Sequence, residues 1–130
     1  MYVLDTNSLI YFFKGMGRVG ARLLSAPPGE IAVPSVVLFE LETGLAKSES
    51  PARRRRQIDE LLGTVQLLPF AAAEARAAAG VRALLERSGE QIGPFDVLIA
   101  GTALAHRATL VTHNLREFSR VPGLAVEDWY

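Results

Sequence analysis

Tyr2-Val3-Leu4-Asp5 sets the frame for the fold: a continuous apolar run, without alternation, ends on a carboxylate. Apolar strands that do not alternate are buried on both faces, as in a parallel sheet covered by helices. Ile31-Ala32-Val33 is a second such run, stopped by Pro34, and Val65-Gln66-Leu67-Leu68 a third, closed by Pro69. Thr109-Leu110-Val111-Thr112 is a fourth and Leu124-Ala125-Val126 a short fifth. Helical stretches separate them. Leu9 to Phe13 follows Asn7 or Ser8 as N-cap, and Ser35 is expected to cap a helix from Val36 to about Lys47. A helix from about Pro51 carries Ile58, Leu61, Leu62 and Val65 at helical spacing. The Ala-rich stretch Ala71 to Arg87 stops at Gly89, and Pro94 suits the first turn of a helix containing Asp96 to about His106. The order β-α-β-α-α-β-α-α-β-α-β predicts an α/β fold: a mainly parallel sheet of four to five strands flanked by helices.

The 130 residues argue for one domain, and 49% hydrophobic against 22% charged residues speaks against disorder. The absence of cysteine excludes a disulfide scaffold, a thiolate zinc site and a cysteine nucleophile. No stretch has the length of a membrane-spanning helix and the first residues lack a basic-then-apolar leader, so no membrane partner and a cytoplasmic setting are expected. Fourteen basic residues balance fourteen acidic ones, which removes global attraction to phosphate as an argument for a nucleic-acid partner. The basic residues are twelve Arg and two Lys, so positive charge comes mainly as guanidinium, suited to bidentate phosphate or carboxylate contacts.

In a parallel sheet the binding crevice lies beyond the carboxyl ends of the strands, where Asp5 and Thr112-His113-Asn114 fall. Asp5 is either a helix N-cap or a buried acid in need of a partner. Glu40 and Glu42, two apart on one helix, point in very different directions; Glu42 reads as solvent-facing, while Gly44 leaves an open patch on the face of Glu40. Asp96 opens the apolar helix Val97-Leu98-Ile99-Ala100, favoured there by the helix dipole and held close to the sheet. Glu117 and Asn114 lie just after the fourth strand. Several acids converging on one crevice repel unless a divalent cation holds them. With only His106 and His113 as nitrogen donors, the ligand set is oxygen, which selects Mg²⁺, or Mn²⁺ in its place, over zinc and suits phosphodiester hydrolysis.

Val3-Leu4-Asp5-Thr6-Asn7, Phe39-Glu40-Leu41-Glu42-Thr43-Gly44, Phe95-Asp96-Val97-Leu98-Ile99-Ala100 and Val111-Thr112-His113-Asn114-Leu115-Arg116-Glu117-Phe118 together resemble the PIN-domain ribonucleases, and more narrowly the VapC-type toxins of toxin–antitoxin pairs. The likeness runs from Met1 to Val126-Glu127-Asp128-Trp129, so residues 1–130 form one PIN-like domain. It implies a Mg²⁺-dependent endoribonuclease cutting tRNA or ribosomal RNA, blocked by a VapB-type antitoxin, reaching operator DNA only through that antitoxin, and assembled as a homodimer. By matching motif, Asp5, Asp96 and Glu40 are metal ligands, and Glu117 fills the fourth acidic role. Thr6, Asn7, Thr112 and Asn114 support them; many PIN domains place an Asp where this chain has Asn114. A catalytically inactive PIN-like module that only binds RNA or protein is the alternative. Haloacid-dehalogenase-like phosphatases also begin with an Asp after the first strand, but need a second Asp where Asn7 stands.

Arg116 and Arg120, near the expected metal loop, are candidates for RNA contact. Arg53 to Arg56 either grip RNA phosphates, pair with an acidic antitoxin segment, or form a solvated helix face. His113 and His106 read as partly exposed loop imidazoles.

Overall fold

The computed structural model describes all residues, Met1–Tyr130. Five strands, β1 (Tyr2–Leu4), β2 (Ile31–Pro34), β3 (Gln66–Leu68), β4 (Thr109–Val111) and β5 (Val126–Glu127), form one sheet in the order β3-β2-β1-β4-β5. All four pairings are parallel, with Val3 opposite Ala32 on one side and Leu110 on the other. Neighbours along a strand face opposite sides of the sheet, and Val3 and Leu4 are both fully buried, as are Leu110 and Val111. Helices therefore cover both faces.

Seven helices connect the strands: α1 (Thr6–Lys14), α2 (Val19–Ser25), α3 (Ser35–Ala46), α4 (Ala52–Leu62), α5 (Ala72–Ser88), α6 (Pro94–Ala105) and α7 (Leu115–Phe118). The expected order holds, with one addition. The α2 segment carries Gly20, has no side-chain cap and leaves Leu24 86% exposed, so its sequence shows neither a start signal nor an apolar stripe. Two expected caps are corrected. Asp5, rather than Asn7 or Ser8, caps α1, its Oδ1 accepting from the Ser8 amide at 2.9 Å. Ser35 is the first residue of α3, and its hydroxyl donates to the Leu68 carbonyl at 2.7 Å, tying α3 to the end of β3.

α5 lies along α6, and α3 touches both α1 and α6. A methyl group on Gly101 would come within 2.5 Å of the Ala78 Cα, so the close approach of α6 to α5 requires glycine there. At the other end of the chain Trp129, 2% exposed, packs against Tyr2 at 5.1 Å between centroids, and Arg22 covers its ring. Tyr130 crosses Gly17, whose φ of 64° and lack of a Cβ admit the terminal backbone. β1 is the point where the sheet order turns: the chain builds outward through β2 and β3, then returns to the far side of β1 as β4. The ends of β1 and β4 thus open the crevice.

Candidate active site

Asp5 leaves β1 directly into α1. Its amide donates to the Val111 carbonyl at 3.1 Å, and the Ser8 hydroxyl donates to the same oxygen at 3.2 Å, so the ends of β1 and β4 are laced together behind the carboxylate. Asp5 is 5% exposed. Burial pushes its carboxyl above the usual range, while hydrogen bonds from Thr112 and Ser8 hold it back. The fully buried Thr112 hydroxyl also accepts from the Asn114 amide at 3.0 Å, which passes the geometry of the β4 end on to the following loop.

Thr6 donates to Glu40 Oε1 at 2.6 Å, bringing α3 to the start of α1. Glu42 turns to the other side of α3, where Arg55 forks onto both its oxygens at 2.7 and 2.5 Å. Asp96 sits in the first turn of α6, and Glu117 meets it from α7. The Gly93 amide donates to Glu117 Oε1 at 2.6 Å, and the Asn114 side-chain amide donates to Glu117 Oε2 at 2.5 Å. Asn114 is also the N-cap of α7, its Oδ1 accepting from the Glu117 amide at 3.3 Å. Asn114 and Glu117 are therefore one unit, in which the amide orients the acid.

The electrostatics follow from this convergence. The Asp96 carboxyl is pushed up to about 7, first by burial and then by the carboxylates of Glu117, Asp5 and Glu40. Burial opposes ionisation of Glu117, yet the Gly93 amide, Asn114 and a hydrogen bond with Asp96 together hold its carboxyl below the usual range. Asp96 and Glu117 thus shift in opposite directions, the acid that accepts from two amides being the one that ionises more readily. None of the ion pairs in the molecule includes Asp5, Glu40, Asp96 or Glu117. Four acids from four separate elements share one crevice, and none of them is in a salt bridge.

No group of three His, Asp or Glu side chains is gathered into a ready coordination sphere; each acid is held by a hydroxyl, an amide or its neighbour. The donor set nevertheless fits a hard divalent cation. It is all oxygen, and burial together with the neighbouring carboxylates disfavours ionisation of Asp96, a cost that a cation would offset.

The remaining expected residues divide. Asn7 is exposed in the first turn of α1. Arg116 is exposed on α7, and Arg120 donates to the Gln91 carbonyl at 3.0 Å while its charge favours ionised Glu117. Both histidines are partly exposed and lie in a turn or bend, as expected, and both are engaged by a carboxylate. His106 caps the C-terminus of α6 and its Nε2 lies 2.9 Å from buried Glu74, whereas His113 bonds Asp128 at 2.9 Å and stacks on Tyr130 at 4.2 Å. Two contributors went unrecognised in the sequence: Ser8, which reads as a cap but buttresses Asp5, and Gly93, whose amide anchors Glu117. A Cβ on Gly93 would stand 3.1 Å from Asp96 Oδ2, so Gly93-Pro94 just before Asp96 carries the only sequence signal of that crowding. Exposed Phe39 and Phe95, each adjacent in sequence to an acid of the site, pair across its rim at 5.4 Å.

A family model, the PIN domain, matches residues 2–124. The tRNA(fMet)-specific endonuclease VapC of Shigella flexneri is 38% identical over 128 residues, covering 98% of this chain and 97% of that protein. Among solved structures, VapBC2 from Rickettsia felis bound to a DNA fragment from their promoter contains a chain similar to this one with a TM-score of 0.91 and 37% identity, covering 99% of this chain and 98% of that one. DNA-bound VapBC from Salmonella typhimurium gives 0.93 and 33% over the same shares of the two chains. By a family model that spans almost the whole sequence and by relatives that match it end to end, this chain belongs to the PIN-domain family as a VapC-type member.

Proposed function

We propose that this chain is a divalent-metal-dependent endoribonuclease toxin, cutting tRNA or ribosomal RNA and held inactive by a VapB-type antitoxin. The observation that carries the reading is the convergence of Asp5, Glu40, Asp96 and Glu117, none of them in a salt bridge, in a crevice where burial and the neighbouring carboxylates push the Asp96 carboxyl up to about 7. The names of the relatives, a tRNA(fMet)-specific endonuclease and ribonucleases VapC, support RNA as substrate. Solved toxin–antitoxin complexes, some bound to DNA, support an antitoxin partner through which operator DNA is reached. The exposed Phe39–Phe95 pair supports a homodimer that buries it. No helix is long and apolar enough to cross a membrane, which accords with a cytoplasmic RNA target.

Asp5, Asp96 and Glu40 would hold Mg²⁺, or Mn²⁺ in its place. When bound, such an ion supplies Lewis-acid polarisation of the phosphoryl group and activation of a water. The protein's own groups prepare the site. Ser8 and Thr112 orient Asp5, Thr6 orients Glu40, and Asn114 with the Gly93 amide aims Glu117 at Asp96. A cation held there would favour the ionised form of Asp96, whose carboxyl burial and the neighbouring acids otherwise push up. No serine, cysteine or histidine stands ready as a nucleophile, so hydrolysis proceeds without a covalent enzyme intermediate. Arg116, exposed on α7, and Arg120, whose charge acts on Glu117, would meet approaching phosphates.

The test is cleavage of tRNA by antitoxin-free protein. Cutting in Mg²⁺, abolished by EDTA and by Asp5→Asn or Asp96→Asn, is the expected result. Folded protein that cuts no RNA with any divalent ion would instead be a binding module.

A further inference from the structure

The arginine run on α4 is not one surface. Arg55 is engaged by Glu42 and lies 3.6 Å from Asp59. Arg54 covers the Phe13 ring at 4.9 Å and its Nε donates to Gln57. Arg53 is exposed, and neither it nor Lys14 at the end of α1 makes an ion pair. These two cations, with Arg54, line a cleft of about 560 Å³ between α1, α3 and α4, within the span of roughly 300–1,000 Å³ usual for ligand clefts. Its opposite wall holds Glu40, the same carboxylate that faces Asp96, and Gly44 one turn further along α3. The cleft is thus continuous with the acidic crevice through one shared residue.

Folding stability does not explain this placement. A helix N-terminus disfavours cations, yet the first turn of α4 carries Arg53 and Arg54, and Pro51 offers no side-chain cap. The positive field of the helix end adds to that of the guanidinium groups, which makes the cleft attractive to an anion. An acidic cluster beside a cationic wall suits a polyanion that must cross both, one of its charges meeting the acids and the next ones meeting the wall. We propose that Lys14 and Arg53 bind backbone phosphates of the RNA strand next to the scissile bond, making this cleft the positioning groove for substrate. The proposal rests on the nuclease reading above. It requires a continuous phosphate backbone; an acidic protein segment would gain from the wall but nothing from entering the four acids.

The test is binding of a short single-stranded RNA to antitoxin-free protein in EDTA, followed by fluorescence anisotropy over a range of salt. Lys14→Gln/Arg53→Gln is expected to bind about tenfold more weakly, with a log–log salt slope shallower by about 1.4, the value for two lost phosphate contacts on a single strand. Lys14→Arg/Arg53→Lys, which keeps both charges, should restore affinity. In Mg²⁺ the neutral variant should raise KM for a long RNA about tenfold while kcat, and cleavage of a dinucleotide too short to reach the wall, stay unchanged. Both positions are exposed, and an unchanged melting temperature would confirm that the fold is intact. Unaltered RNA affinity and salt slope would overturn the proposal, as would a parent protein that binds no RNA. So would unaltered RNA binding with weakened binding of a polyglutamate peptide, which would give the wall to an acidic protein segment. If the parent binds RNA but never cuts it, the nuclease reading fails while the binding comparison still decides the role of the wall.

Discussion

The two ends of α6 solve the same problem in opposite ways. Each brings a carboxylate into a poorly solvated place. At the C-terminal end, buried Glu74 reaches His106, and the Ala71 amide closes the other side of the acid at 2.8 Å. The Ala71 amide first, and His106 after it, hold the Glu74 carboxyl below the usual range against burial. At the N-terminal end, Asp96 meets Glu117, Asp5 and Glu40, and burial together with their charge pushes it up to about 7. The helix dipole favours an anion at the end where the Asp96 carboxyl is nonetheless pushed up. A carboxylate held by an amide and an imidazole is satisfied within the fold, whereas acids raised by burial and by one another are the pattern that functional sites show.

This contrast can be broken at the acidic end with the largest effect. Asp96→Asn should lower metal-dependent RNA cleavage by roughly 100- to 1,000-fold, while Glu74→Gln leaves turnover unchanged; equal losses from both would erase the distinction between the two ends. Between them, Gly101→Val should destabilise the fold by about 3 kcal/mol by driving a side chain into the Ala78 backbone, read as a lowered urea midpoint.

The pH dependence sharpens the comparison, because the two ends predict opposite signs. Asp96 has a folded pKa near 7 against an ordinary value of 3.8, so its contribution in metal-free protein is fully present below pH 3.8 and is lost as pH rises through about 7. Asp96→Asn should therefore stabilise the metal-free protein at pH 7.5 by about 2 kcal/mol, the half-buried site being partly screened, with no gain at pH 3.5. Saturating Mg²⁺ should raise the melting temperature of the parent at neutral pH and do so far less for Asp96→Asn. Glu74 runs the other way. Its lowered carboxyl contributes above the ordinary value of 4.5, and that contribution disappears as pH falls through the folded value. Glu74→Gln should thus lower the melting temperature at pH 7 and converge with the parent in acid. The smallest effect belongs to the exposed Glu42–Arg55 pair: Glu42→Gln should shift stability by no more than about 0.5 kcal/mol and leave cleavage intact.

Most of the fold was legible because its signals are local. Apolar runs such as Tyr2-Val3-Leu4 and Ile31-Ala32-Val33, closed by Asp5 and Pro34, are read one residue at a time, and Gly89 and Pro94 mark helix ends by their own backbone chemistry. α2 escaped because it depends on packing against its neighbours rather than on a cap or an apolar stripe. Within the site, Asp5 and Asp96 stood out as acids in strand-end or apolar settings, whereas Glu117, an ordinary loop acid by its setting, entered only through the resemblance of its motif. Periodicity alone did not choose between Glu40 and Glu42; the motif favoured Glu40, and Thr6 on one side and Arg55 on the other give the physical separation in three dimensions.

The sequence by itself determined the order of strands and of every helix but α2, the oxygen-only character of the site and the preference for guanidinium as the positive charge, since these depend on residue type and spacing. Tertiary structure alone decided which charges meet. It gave Arg55 to Glu42 and left Arg53 and Lys14 free beside Glu40; it closed His106 onto Glu74 and stacked His113 on Tyr130; and it left Asp96 facing only other acids. The reason is that electrostatic energy depends on distance and burial rather than on position along the chain. A net charge of zero can therefore hide a negative crevice and a positive wall lying side by side.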